Sequence, residues 1–125
     1  MPPTAREGRE FEGPEKPERA GPEPPYHYVI VRADLSRGLQ AAMLVHAAGE
    51  SSPGGLPSNT HAVVLAAASE EALASVATRL KRAEISFVEI REPDAPFFGA
   101  LMALGVMPGR KEVLRRHLSS LPLLR

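Results

Sequence analysis

Residues 28–50, YVIVRADLSRGLQAAMLVHAAGE, constrain the fold more than any other stretch. Tyr28, Val29, Ile30 and Val31 are apolar in succession, the pattern of a strand covered on both faces. Residues 34–38 supply turn chemistry. From Leu39 to Ala48, Ala, Leu and Met dominate, and these are good helix formers. The unit reads strand, loop, helix. Gln40 and His46 alone give the helix polar surface, so it is expected to lie between other layers. Open α/β sheets bind ligands beyond the carboxyl ends of their strands, which makes residues 34–38 the first place to look for a site.

The rest of the chain repeats the alternation. Residues 51–59, SSPGGLPSN, are turn formers without periodicity and read as a flexible loop. Residues 61–68 are a short apolar run centred on Val63, Val64 and Leu65, a second buried strand. Ser69 before Glu70 and Glu71 is a helix start: a hydroxyl accepts from free backbone N–H groups, and two acids complement the positive end of the dipole. Leu73, Val76, Ala77, Leu80 and Ala83 continue at helical spacing. Residues 85–91 form a third strand, broken by Pro93 and Pro96, and the apolar residues 99–106 form a fourth. After Met107, Pro108 and Gly109 comes a last helix carrying Val113, Leu114, Leu118 and Leu121. The order β-α-β-α-β-β-α predicts a single α/β domain: a four-stranded mixed sheet with helices on both faces, its third and fourth strands an antiparallel pair.

Composition sets the outer bounds. The chain's 125 residues suffice for one core, and the absence of cysteine removes disulfides and thiolate metal sites. No apolar run approaches a membrane span and the N-terminus lacks a secretory signal, so a cytoplasmic protein without membrane contact is expected. Residues 1–25 hold six acids, four bases and seven prolines. They read as a disordered tail before a domain at residues 26–125, because so little apolar surface cannot offset the entropy of ordering. The tail masks a local excess of positive charge. In the last sixteen residues Arg110, Lys111, Arg115, Arg116 and Arg125 face only Glu112. This is either a solvated helix face or a phosphate-binding patch.

The Asp-Leu after the first strand, then Gly38, Ala41, Ala42, His46 and Ala47, resemble the opening of the type 2 peptidyl-tRNA hydrolases. Ala103, Leu104 and Gly105 are similar to the end of that family's last strand, and the resemblance runs from about Tyr28 to Leu124. It implies hydrolysis of the ester between a peptide and the terminal ribose of tRNA, with no metal or organic cofactor and with tRNA as partner. A homodimer is left open. Gly38 matches the family's glycine, but Leu39 stands where its lysine would be and Met43 where its glutamine would be. Asp94 resembles the aspartate of the loop after the third strand. Pro96 replaces the glycine that follows there, and residues 94–105 hold no threonine.

Each candidate residue has two readings. Asp94 orients water or is a turn aspartate. Asp34 caps the first helix or braces its loop. Arg37 supplies a cation to phosphate or oxyanion, or is solvated. His46 is catalytic, or buried and bonded to backbone. Phe97 and Phe98 are core, or stack on a base or a peptide side chain. His27, His61 and His117 lack ligand spacing, so no metal is assigned. The resulting expectation is a hydrolase with Asp94 and His46 as catalytic candidates, and with Arg37, Gly38, Arg110, Lys111, Arg115 and Arg116 holding substrate. The alternative is a non-catalytic tRNA-binding or protein-interaction module on the same fold.

Overall fold

The computed structural model describes residues 23–125. The expected tail, but for its last three residues, lies outside the described residues. Seven elements follow in order: β1 (Tyr26–Arg32), α1 (Arg37–Ser51), β2 (His61–Ala67), α2 (Glu70–Arg82), β3 (Phe87–Glu92), β4 (Ala100–Val106) and α3 (Lys111–Leu118). They form one four-stranded mixed sheet in the order β2-β1-β4-β3, with β1 parallel to β2 and β4 antiparallel to both β1 and β3. No helix among the described residues is long and apolar enough to cross a membrane.

The unbroken apolar run of β1 has the cause expected of it. Tyr28 and Ile30 point into one core layer with Leu73, Val76 and Leu80 of α2 and Leu114 and Leu118 of α3. Val29 and Val31 point into the other, with Met43 and Ala47 of α1. Helices therefore cover both faces. β1 begins two residues before the apolar run, because Tyr26 pairs with Gly109 and stacks on His61 with ring centroids 4.6 Å apart. β3 begins later than Ile85, since Glu84 takes a left-handed conformation and the Ile85 N–H still bonds back to the Leu80 carbonyl of α2. At the bulge in β4, Met102 is the extra residue between Leu101 and Ala103, the partners of Arg91 and Ile90, so Met102 and Ala103 both enter the α1-side core.

The expectation that α1 lies between layers is corrected. Its outer face, with Ala41, Ala42, Val45, His46 and Gly49, is exposed, and Val45 reaches 73%. Small side chains account for the apolar reading there. Gln40, read as polar surface, is buried.

What seats α1 on the sheet is Gly105. A Cβ at Gly105 would overlap the Ala47 carbonyl oxygen and lie 2.6 Å from Ser51 Oγ. Ser51 Oγ donates to the Ala47 carbonyl at 2.7 Å, which uses its one proton, and the Nε2–H of neutral His27 then donates to Ser51 Oγ at 2.7 Å. His27 is buried, and burial pushes its pKa below the ordinary 6.5. The native state therefore binds fewer protons than the unfolded one between the lowered pKa and 6.5. Stability from this pair is complete above 6.5 and declines as pH falls toward the lowered value. Urea midpoints measured from about pH 7 to about pH 5 should fall for wild type and fall less for His27→Gln. Parallel slopes would show that His27 takes up its proton without cost.

Candidate functional site

The carboxyl ends of β1, β2 and β3 and the start of β4 share one end of the sheet. Two segments far apart in sequence meet there: the β1–α1 turn, residues 33–36, and the β3–β4 loop, residues 93–99.

The turn is cross-braced. Arg32 Nε and Nη2 each donate to the Asp34 carboxylate at 3.0 Å, while Nη1 donates to the Leu101 carbonyl of β4 at 3.2 Å. The hydrogen bonds from Arg32 hold the Asp34 carboxyl below the usual carboxylate range. Asp34 thus braces the turn, and the cap of α1 is Ser36, whose Oγ accepts from the Leu39 N–H at 3.4 Å. Gln40 Nε2 donates to the carbonyls of Arg32, Ala33 and Leu35 at 3.1–3.4 Å, and its Oε1 accepts from Arg37 Nη1 at 2.9 Å. Arg37 Nη2 in turn donates to the Arg125 carbonyl at 2.7 Å. Arg32 and Gln40 escape a reading of the sequence alone. The available signal is a lone amide in the first turn of an apolar helix, where the preceding turn offers unsatisfied carbonyls.

The β3–β4 loop holds Asp94 by its backbone. Its N–H donates to Glu92 Oε2 at 3.1 Å, and its carbonyl accepts from the N–H groups of Phe97 and Phe98 at 2.9 and 3.1 Å. Among the described residues the Asp94 carboxylate has no hydrogen-bond or ion-pair partner, and the residue is exposed. The two phenylalanines divide: Phe97 packs against the α1-side core, whereas Phe98 is 77% exposed.

Beside this loop a cavity of about 490 Å³ opens between α1 and β3, lined by Met43, His46 and Glu50 on one wall and by residues 89–93 on the other. His46 is exposed on its wall, with Nδ1 3.7 Å from Glu50 Oε2, so the buried alternative for His46 does not hold. The lining ends at Pro93, the residue before Asp94. His46 therefore lines the cavity along β3, and Asp94 lies one residue beyond its lining. Gly38 is exposed at the start of α1, and Leu39 is half-buried against the α1-side core.

The basic candidates lie elsewhere. Arg110 precedes α3, next to Gly109, which pairs with Tyr26 at the opposite end of β1 from Arg32. At about 3.3 Å per residue, the length of β1 separates Arg110 and Lys111 from the Asp94 end by roughly 20 Å. Arg110 reaches Glu112 at 3.7 Å, while Arg115 and Arg116 are exposed farther along α3. α3 packs on the sheet face opposite α1. Among the described residues no group of three or more His, Asp or Glu side chains is placed to hold a metal ion.

Fold and site together describe a small α/β domain with a braced turn and, at the same sheet end, a carboxylate without a partner among the described residues. Neither a protein-family model nor a curated protein matches the chain. Among solved structures it is similar to a protein of unknown function from Agrobacterium tumefaciens, with 17% identity and a TM-score of 0.53 over 79% of this chain and 96% of that one. At that identity the likeness is one of fold.

Proposed function

We propose that the chain is a cytoplasmic peptidyl-tRNA hydrolase, acting alone or as a homodimer, that cleaves the ester between a peptide and tRNA without a metal or organic cofactor. The observation that carries this reading is the placement, at one sheet end, of the β1–α1 unit that bears the resemblance and the Asp94 carboxylate, which has no partner among the described residues. Ester hydrolysis needs an oriented water, an acceptor for its proton, and donors for the oxyanion. Asp94 has the properties of the acceptor: its backbone is pinned on three hydrogen bonds and its side chain is open to solvent. His46, on the neighbouring cavity wall, is next in line. Arg37 and Gly38 flank the acceptor end of tRNA, and Arg110, Lys111, Arg115 and Arg116 take phosphates along α3. The separation of roughly 20 Å suits a long polyanion that contacts the domain at more than one place.

One observation favours the second reading, a non-catalytic tRNA-binding or protein-interaction module. Leu39 makes apolar contacts, and the nearest guanidiniums, Arg32 and Arg37, are already engaged by Asp34, Gln40 and backbone carbonyls. No lysine or arginine of this turn is left unengaged to stabilise an oxyanion. Timed release of peptide from a defined peptidyl-tRNA, run beside a tRNA-binding measurement, separates the readings. Release above background supports the hydrolase, binding without release supports the module, and absence of both removes tRNA as the partner.

The binding half makes its own prediction. Replacing Arg110, Lys111, Arg115 and Arg116 together by Ala should weaken tRNA binding and flatten the dependence of log affinity on log salt by about 0.7–0.9 for each phosphate no longer neutralised. Unchanged affinity and slope would make these bases a solvated helix face.

A further inference from the structure

On the sheet face away from His46, a second cavity of about 410 Å³ lies between α3 and strands β1 and β2. Its floor is apolar, with Val63, Leu65 and Leu118, and Leu123 stands exposed at the rim. Three polar groups converge on it. Tyr28 lines the cavity although the residue is only 6% exposed, and its phenol has no hydrogen-bond partner among the described residues. Burial raises the phenol's pKa, as does Tyr26, while the positive charge of Arg115 acts in the opposite direction, so the guanidinium lies close enough for its field to be felt. Lys111 is the third, its Nζ 5.4 Å from the centroid of the Tyr26 ring. Among the described residues no Asp or Glu lines the cavity, and neither Lys111 nor Arg115 makes an ion pair within 4 Å.

A buried hydroxyl without a partner costs stability unless something accepts its proton, and Arg115, whose charge acts on the phenol, with Lys111 on the same cavity wall, fixes the sign of that acceptor. An apolar pocket of a few hundred Å³ with a few convergent polar groups is the usual form of a small-molecule site. We propose that this cavity binds an anionic amphiphile, its carboxylate or phosphate accepting from the Tyr28 hydroxyl, Arg115 and Lys111, and its alkyl or aryl body lying on Val63, Leu65 and Leu118. The head group is held as a planar or tetrahedral oxyanion would be held by a guanidinium. The site shares Lys111 and Arg115 with the proposed tRNA-phosphate surface but faces away from Asp94 and His46, and its test involves no tRNA.

Calorimetric titration of the full chain with octanoate, octyl phosphate and octanol tests it. Octanoate or octyl phosphate should saturate one site, whichever binds more tightly naming the head group, and octanol should bind at least about ten-fold more weakly. Arg115→Gln should weaken the anion about ten-fold, as expected for loss of a charge-assisted hydrogen bond, and leave octanol unchanged. Tyr28→Phe keeps the ring and should weaken the anion by a smaller factor. If that variant fails to fold, the exposed Arg115 position carries the comparison. Equal binding of octanoate and octanol, insensitivity to Arg115→Gln, or no saturable binding of either anion would each overturn the proposal.

Discussion

Gly105→Ala should destabilise the protein by about 3 kcal/mol, the upper range for forcing a methyl group into a packed interior. The added Cβ would meet the Ala47 carbonyl and Ser51, neither of which can retreat cheaply. Ala47 O is the backbone of α1, and Ser51 Oγ is fixed between that carbonyl and His27. Relief requires α1 to lift from β4, which would open the contact of Met43 and Ala47 with Met102 and Ala103 and leave the His27–Ser51 pair broken in a buried place. Gly49→Ala is the internal control. It lies in the same helix with nothing within 4 Å of the place its methyl would occupy, and should gain about 0.5–1 kcal/mol from helix propensity. Urea unfolding with an unchanged m-value reads both. A Gly105→Ala protein as stable as wild type would mean that α1 is not seated where Gly105 admits it.

Much of this architecture is legible in the sequence because it depends on local pattern. The succession Tyr28 to Val31 reads as a doubly covered strand, and Ser69 capping α2 through the Ala72 N–H at 3.2 Å is what Ser-Glu-Glu announces. The order of elements and the antiparallel pairing of β3 with β4 follow from segment spacing. Side chains that act across the chain are not legible. Nothing local tells that Arg32 reaches Leu101, that His27 meets Ser51, or that Arg37 holds the Arg125 carbonyl. The exposed face of α1 is hidden for a related reason. Alanine is apolar by composition yet small enough to stand in solvent, so a helix rich in it carries little information about which face is covered. For the candidate site, the sequence marks Asp94 and His46 separately. The packing of α1 on β3 that puts His46 in a cavity reaching to Pro93, beside Asp94, is a long-range property.

Asp94→Asn should reduce peptide release by about 10²–10⁴-fold, the contribution typical of a positioned general base. The substitution keeps size and removes the basic carboxylate. Folding should be unaffected, because among the described residues the carboxylate makes no hydrogen bond and the loop is held through the Asp94 backbone and Glu92. Binding of tRNA should also persist, since the phosphate-binding candidates lie on α3. A loss confined to the rate, with melting and affinity unchanged, separates a base from a residue that merely shapes the loop. Full activity in the variant would move the chemistry to His46, the other catalytic candidate, on the wall of the adjoining cavity.

Single-turnover release of labelled peptide from a defined peptidyl-tRNA, measured for wild type and Asp94→Asn at equal tRNA occupancy, tests the hydrolase reading most directly. A peptidyl-tRNA hydrolase working through Asp94 gives release above background in wild type and a rate lower by at least about 10²-fold in the variant. Wild-type protein that retains tRNA and releases no peptide would contradict it and leave a binding module on this fold.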